Sequence, residues 1–509
     1  MVETSEHVDL STIVSLCKRR GFIFQSSEIY GGLASTWDYG PLGVELKRNV
    51  KDAWWSTFVW DRDDMVGLDA AILMHPDVWK ASGHIDSFTD PLVECKQCHS
   101  RFRPDELWVR EVNTSDKGFI RYISGLTLAD VSENFRRFLK EEGLSSTVYG
   151  TETKQTTIGD YLDSKSQMSC PFCSNVGQFA DPRMFNLMLK THLGPIEDDA
   201  GVAYLRPETA QGIFVNFDNV LTATRRKLPF GIAQVGKAFR NEITTGNFIF
   251  RTREFEIMEL EYFVRVEEAE ESRRRWIEES KRWYTDLGVS EDRLRVRAHE
   301  AGELAHYSLA TSDIEYRYPW GWGEIAGVAN RADFDLKAHS EATSQALTFF
   351  DDGAGEHVTP HVVEPTFGVD RAVLTFLVDA YTEEEAPTAS GKTEKRVLLK
   401  LHPALAPVKV AVLPLSRNER LVPLAREVYD VVRRSGAARG MVQYDDAQSI
   451  GRRYRRQDEV GTPLCVTVDF DSLDDKAVTI RERDTMAQTR VPIDTLPDEL
   501  STRLSDMAS

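Results

Sequence analysis

The sequence has no run of about 18 apolar residues, so it offers no candidate for a membrane-spanning helix. It holds only six cysteines in 509 residues, too few for a disulfide scaffold in a chain of this length. Positive charge is in deficit. The 62 lysines and arginines face 81 aspartates and glutamates, a formal charge of −19. That excludes a protein that binds nucleic acid with its whole surface. Local binding remains open, because counterion release depends on the contacting cations rather than on net charge. The start, Met1-Val2-Glu3-Thr4-Ser5-Glu6, is acidic and polar where a secretory signal would be basic and then apolar. Cytoplasmic residence is therefore the expectation. Internal repeats and long low-complexity segments are also missing. What is present, 41% hydrophobic and 28% charged residues, fits a globular chain of two or three domains.

Pro41 stands where a helix can begin, and Leu42, Leu46, Val50 and Trp54 follow at helical spacing. They predict an amphipathic helix of about 18 residues, Leu42 to Val59, suited to a core or a partner subunit. Residues 94–181 read as an insertion bounded by cysteine pairs, and 267–318 as a charged, helical insertion. The segment Thr382 to Gly391 is polar, with a proline and a glycine, and reads as loop. After Pro407 strands alternate with helices. Val408–Leu413, Met441–Tyr444 and Leu464–Phe470 read as strands, with 417–434 and 448–460 helical between them. The expected domains are 1–400 and a small α/β domain over 405–509.

The densest chemistry lies in Phe239-Arg240-Asn241-Glu242 and Phe250-Arg251-Thr252-Arg253-Glu254-Phe255, which read as strand, basic loop and returning strand. Residues two apart on a strand share a face, so Arg240 pairs with Glu242, and Phe255 with Ile257, Glu259 and Glu261. Guanidinium for phosphate, aromatic for a base and carboxylates for an amine describe a nucleotide site beside something cationic. Three further segments add to it. Leu205-Arg206-Pro207-Glu208-Thr209-Ala210-Gln211-Gly212 sets a carboxylate at a stiffened turn. Trp322-Gly323-Glu324-Ile325-Ala326-Gly327 offers close backbone approach and a carboxylate for a metal or ribose. Glu364-Pro365-Thr366-Phe367-Gly368-Val369-Asp370-Arg371 runs into an apolar helix, with Arg371 in its first turn. Separately, Cys95-Lys96-Gln97-Cys98 and Cys170-Pro171-Phe172-Cys173 form two C-x-x-C knuckles, the pattern of a closed structural four-thiolate zinc site. Their separation exceeds the roughly 15–20 residues usual in a zinc ribbon, so other structure must lie between them.

In this order the segments resemble the homodimeric glycyl-tRNA synthetase family of the class II aminoacyl-tRNA synthetases. Tyr39-Gly40-Pro41-Leu42-Gly43-Val44 with its helix is similar to the family's first motif, Phe239 to Phe263 to the second, and Gly368-Val369-Asp370-Arg371 to the third. Val78 to His84, Phe185 to Met188, Arg206 to Phe214 and Asn330 to Leu336 resemble stretches of its glycine-specific members, and the text after Pro407 its anticodon-binding domain. The resemblance implies an α+β fold, a six-stranded antiparallel sheet flanked by helices. It also implies ATP-dependent activation of glycine, transfer to the 3′ end of tRNA(Gly), and a homodimer in the cytoplasm with no membrane partner.

Carried over by position, Arg240, Glu242 and Arg371 would be catalytic, Arg240 on the α-phosphate. Phe255 would stack on adenine, with Arg371 over its other face or on the γ-phosphate. Asn241, Glu242, Arg251 and Arg253 would contact the nucleotide, and Arg103 the substrate. Glu208 and Glu364 would take the ammonium group of glycine and Arg331 its carboxylate. Phe250, Thr252, Glu254, Glu256, Ile257, Met258, Glu259, Ile325, Pro365, Thr366, Phe367, Gly368, Val369 and Asp370 complete the implied site. Magnesium would bridge ATP oxygens with Glu324 as a candidate ligand, and zinc would sit on the four cysteines. Arg452-Arg453-Tyr454-Arg455-Arg456 would approach the anticodon arm. Two residues depart from the pattern: Thr366 replaces a serine common in relatives, and Ala326 an acidic residue. A non-catalytic relative would lose the motif arginines, and Arg240, Glu242 and Arg371 are all retained.

Overall fold

A computed structural model describes residues 8–114, 119–126, 128–144, 152–195, 201–243, 246–300, 302–305, 307–353, 355–387, 393–438 and 440–508. The polar start Met1–Glu6 and the end of the expected loop, residues 388–391, lie outside the described residues. The chain divides into two compact units. One spans Met1–Ala71, Glu208–Ala238 and Asn247–Ser509, the other Ile72–Pro207 and Phe239–Gly246.

The first unit is built on a sheet in the order Leu294–Ala298, Ala310–Tyr318, Gly321–Ala332, His361–Gly368, Glu254–Val264, Phe230–Phe239, Met65–Gly67. The first five strands pair antiparallel. The sheet thus has seven strands where six were expected. The additional edge strand, Met65–Gly67, pairs in parallel with Phe230–Phe239. It fits because Gly231 is bare: a Cβ there would stand 2.3 Å from the Met65 sulfur.

The central strand Glu254–Val264 is covered on both faces. Met258, Leu260 and Tyr262 enter the apolar core with Leu46, Val50 and Trp54, while Glu259 and Glu261 are buried on the alternate positions. The helix carrying Leu46, Val50 and Trp54 is regular over Pro41–Trp55 and continues to Trp60 as a π turn, so the predicted periodicity holds and its straight run is shorter. It docks tightly because Gly43 lacks a side chain; a Cβ would lie 1.8 Å from the Phe22 carbonyl oxygen.

Two expectations fail in this unit. Residues 267–318 form one α-helix among the described residues, Ala269–Asp286, and Leu294–Ala298 and Ala310–Tyr318 are strands of the main sheet. Their charges are cross-strand pairs, Arg295 with Glu315 and Arg297 with Asp313, which composition alone cannot distinguish from a charged helix. The expected loop from Thr382 is instead the strand Tyr381–Pro387, paired antiparallel with Thr393–Leu399. Its run of glutamates finds cross-strand cations, Glu383 with Lys395 and Glu384 with Arg396, each 2.6 Å apart.

Residues beyond Pro407 form a five-stranded sheet in the order Met441–Tyr444, Val408–Pro414, Leu464–Val468, Ala477–Glu482, Gln488–Pro492. The first three are parallel and the last two antiparallel. Helices Leu421–Ser435, Ile450–Val460 and Leu496–Asp506 accompany them. The basic cluster Arg452–Arg456 does not present one cationic face. Arg453 is buried and donates to the carbonyls of Gln448 and Pro414, and Arg456 pairs with Asp445 at 2.8 Å.

The second unit carries two small three-stranded sheets, Arg101–Phe102 with Thr89–Glu94 and Arg183–Asn186, and Phe119–Gly125 with Trp108–Thr114 and Lys154–Gln155. Among the described residues no helix is long and apolar enough to cross a membrane.

Candidate functional site

Five carboxylates gather around a single arginine in the first unit. Arg331 ends the strand Gly321–Ala332 at a register shift between Asn330 and Ala332, an irregularity that re-aims a side chain. Its guanidinium is fully buried and fork-bonded to Asp335, Nε at 2.8 Å and Nη2 at 2.9 Å, with Nη1 on Glu364 and Glu208 at 3.7 Å from Nη2. Glu259 lies across from Thr366 in the neighbouring strand and accepts from the Thr209 backbone N–H at 2.9 Å. The Thr366 hydroxyl is 3.0 Å from both Glu259 and Glu364. It has one proton to give, so only one of the two facing oxygens receives it at a time. Gln211 bridges Glu208 and Asp335, and His339 holds Gln211 in turn.

Glu259, Glu261 and Glu364 bring one oxygen each within 4.8 Å of one another. Two unit charges at that separation repel by about 3–4 kcal/mol at the effective dielectric of a protein. Burial and then the neighbouring carboxylates push Glu261 well above the usual range, and burial against the pull of Arg331 leaves Glu364 at about 8. Glu259 moves in the same direction, through burial and Glu208. Both oxygens of Glu261 are buried and neither makes a hydrogen bond.

The third-motif residue Arg371 lies 4.5 Å from the ring of Phe250, donates to the Phe250 carbonyl at 3.2 Å, and holds the carboxylate and carbonyl of Glu324 at 3.0 Å each. Phe255 and Thr252 line a cavity of about 350 Å³ with Lys237, Tyr39, Lys47 and Asp370. Arg253 donates to the Ala34 carbonyl at 3.0 Å, and Glu254 pairs with Lys237. Glu256 and Asp370 turn toward the first-motif helix. Glu256 takes Lys47 at 2.7 Å and Lys51 at 3.0 Å; Asp370 accepts from Tyr39 at 2.5 Å, from Lys47 at 3.0 Å and from the Glu256 N–H at 2.9 Å. The side chains of Met258, Ile325, Phe367 and Val369, expected beside the nucleotide, belong instead to the apolar core.

In the second unit Arg240 donates to the Pro207 carbonyl at 3.1 Å, with its guanidinium 5.3 Å from the Phe88 ring. The Asn241 N–H donates to Leu187 at 2.8 Å. Arg103 is held by Asp90 at 2.6 Å and Asp105 at 2.7 Å. Burial first, then the charge of Glu242 against that of Arg103, acts on Asp90, and the balance raises it.

The four knuckle sulfurs lie within 4.8 Å of one another, with Cys95–Cys173 at 3.7 Å and Cys98–Cys170 at 3.8 Å. A tetrahedron with metal–sulfur bonds of about 2.3 Å has an edge of about 3.8 Å, so the spacing fits a zinc ion. His99 faces Glu94 at the surface, outside this cluster.

Reasoning from the sequence assigned no role to Asp335, Thr209, Gln211 or His339. Asp335 gave no local signal: Arg331 lies on the strand Gly321–Ala332 and Asp335 on the helix Phe334–Thr343, so their pairing depends on the fold.

The chain's likeness to known proteins agrees with this geometry. Residues 195–381 match the tRNA synthetase class II core domain (G, H, P, S and T), and residues 409–503 the anticodon binding domain. The glycine–tRNA ligase of Thermobifida fusca is 50% identical over 509 residues, covering 99% of this chain and all of the relative. That of Streptomyces coelicolor is 52% identical over 498 residues, covering 97% and 98%. A solved prolyl-tRNA synthetase from Cryptosporidium parvum, complexed with L-proline and AMP, shares the fold with a TM-score of 0.57 at 14% identity. The match covers 97% of this chain and 78% of that one. At half the residues identical over essentially full length, the chain belongs to the glycine–tRNA ligase family of class II aminoacyl-tRNA synthetases.

Proposed function

We propose that the protein is a glycine–tRNA ligase, activating glycine with ATP to the adenylate and transferring it to the 3′ end of tRNA(Gly). The observation that carries this reading is the carboxylate pocket. Glu208, Glu259 and Glu364 act on one another's charge in a buried group, and the ammonium group of glycine would supply the cation they lack. Arg331 is already fork-bonded to Asp335 and held by Glu364. It therefore serves to fix the carboxylates rather than to take the carboxylate of glycine, as the resemblance had implied.

Arg240 holds the α-phosphate and the charge that develops there, a contact worth about 2.7–4 kcal/mol in the transition state. Asn241, Glu242, Arg251, Arg253 and Phe255 position the nucleotide. Arg371, now stacked near Phe250, exchanges Glu324 for the nucleotide when ATP binds. Catalysis in this reading is positioning and electrostatics, without a covalent nucleophile. Magnesium, when bound, neutralises phosphate charge. Glu324 suits it as a hard oxygen donor with its side chain about half exposed. The four knuckle cysteines would hold a structural zinc.

We further place the protein in the cytoplasm as a homodimer, with a catalytic domain over 1–400 and an anticodon-binding domain over 405–509. Support for the dimer is the run of individually exposed apolar residues in and near the first motif, Ile29, Tyr30, Leu33, Val44 and Trp60. The test is ATP–pyrophosphate exchange run with each standard amino acid separately. Exchange with glycine alone is expected. Exchange with another amino acid, or none from folded protein, would overturn the reading. Arg240→Ala should abolish exchange while tRNA binding persists.

A further inference from the structure

Glu261 has no role in the reaction as described, yet it is the least satisfied group in the pocket. It is completely buried, both its oxygens lack a hydrogen-bond partner, and one of them lies within 4.8 Å of oxygens of Glu259 and Glu364. A buried ionised carboxylate without a hydrogen bond is far costlier than a neutral acid, so such a group keeps a proton. The charges acting on it come from every side: Glu259 on its own strand, Glu364 on the next, Arg331 on the strand beyond, and Asp335 on the following helix. The only cation among them is Arg331, committed to Asp335 and Glu364. The Thr366 hydroxyl between Glu259 and Glu364 gives an independent sign of the same deficit, since one proton cannot serve two carboxylates 3.0 Å away on either side.

We propose that the free enzyme retains a proton on the Glu259–Glu261–Glu364 cluster, and that glycine expels it, its ammonium group becoming the positive charge the carboxylates then share. Glu261 is the positioning residue of this exchange: in the free enzyme it shares the cluster's proton with Glu364, and it acts on the substrate through Glu259 and Glu364. No covalent bond changes. The proton passes to solvent as the ammonium group enters, so one positive charge faces the carboxylates before and after binding. The proposal rests on the reading of this pocket as the glycine site.

It is tested by titration calorimetry of glycine into the full-length enzyme, without ATP, near neutral pH in phosphate, Hepes and Tris. The slope of measured enthalpy against buffer ionisation enthalpy counts the protons exchanged, and release of about one per site is expected. The affinity for glycine should weaken by about tenfold for each pH unit below the titration point. Glu261→Gln, which keeps the shape and removes one of the cluster's proton sites, should lower the slope and flatten the pH profile. Glycine binding with no buffer dependence in the wild type overturns the proposal and leaves the pocket assignment standing; absence of glycine binding overturns both. A Glu261→Gln protein with unchanged slope overturns the role of Glu261. Should that variant fail to fold, the wild-type slope alone decides. Manganese that binds this cluster in competition with glycine would also refute it, by showing a cation rather than a proton in the free enzyme.

Discussion

Replacing Arg331 with methionine removes the one cation that, among the described residues, contacts this buried group of acids, and should be the most damaging single change in the pocket. The guanidinium is fully buried, holds Asp335 through two bonds of 2.8 and 2.9 Å, and contacts Glu364. Deleting one partner of such a pair strands the other's charge, at a cost of about 3–5 kcal/mol. At roughly 2–4 °C per kcal/mol, that lowers the melting temperature on the order of 10 °C. The loss should depend on pH in a definite direction. Glu364 is raised from its ordinary 4.5 to about 8, so in that interval the folded protein binds a proton that the unfolded chain has released. Stability from this group is therefore lost as pH rises from about 4.5 toward 8. Without Arg331 the effect must grow, and Arg331→Met should be least harmful near pH 5, where the acids neutralise themselves. Thermal melts of both proteins across this range are the assay. Combining it with Asp335→Leu should recover part of the loss, because removing both partners leaves no stranded charge. A cost below about 1 kcal/mol at neutral pH, or a double variant as damaged as the sum of the two singles, would refute the reasoning.

Three further outcomes are expected. Gly43→Ala should destabilise the protein by about 3 kcal/mol or more, since its Cβ would stand 1.8 Å from a backbone oxygen, and an unchanged melting temperature would contradict the packing described. Elemental analysis should find about one zinc per chain, falling in Cys98→Ser and Cys170→Ser, and wild-type protein that is metal-free and fully stable would sink the zinc assignment. Thr366→Val, which keeps the shape and removes the shared hydroxyl, should raise KM for glycine at least tenfold while that for ATP stays within twofold; the loss of a hydrogen bond to charged groups, about 1.5–3 kcal/mol, corresponds to roughly 10- to 150-fold.

Much of this was legible in the sequence, for identifiable reasons. The first-motif helix announced itself because Leu46, Val50 and Trp54 repeat at the helical period and are all buried. Cysteine pairs and the Glu208, Glu364 and Arg331 segments were visible because their chemistry needs particular residues at particular spacings. What escaped was whatever depended on partners remote in the chain. Arg453 looks like one more cation on a basic helix, but carbonyls from Gln448 and Pro414 make it a core residue. The acidic stretch Glu383 to Glu385 reads as loop until Lys395 and Arg396 are seen across from it. Asp335 was hidden by local context as well, since nothing nearby indicates that Arg331 would be turned inward to meet it.

The contacts of Asp370 also bear on how this chain is made. Tyr39 and Lys47 of the first-motif segment reach an acceptor that lies 331 and 323 residues later in the sequence. A ribosome extending the chain at about 5–20 residues per second needs about 15–60 s between synthesising one side of this junction and the other. Throughout that interval Trp54, whose ring packs 6.0 Å from that of Phe367, lacks this neighbour. The first-motif helix accordingly waits for these partners through most of synthesis, and a slowly translated messenger should raise its dependence on chaperones more than that of the compact segment beyond Pro407.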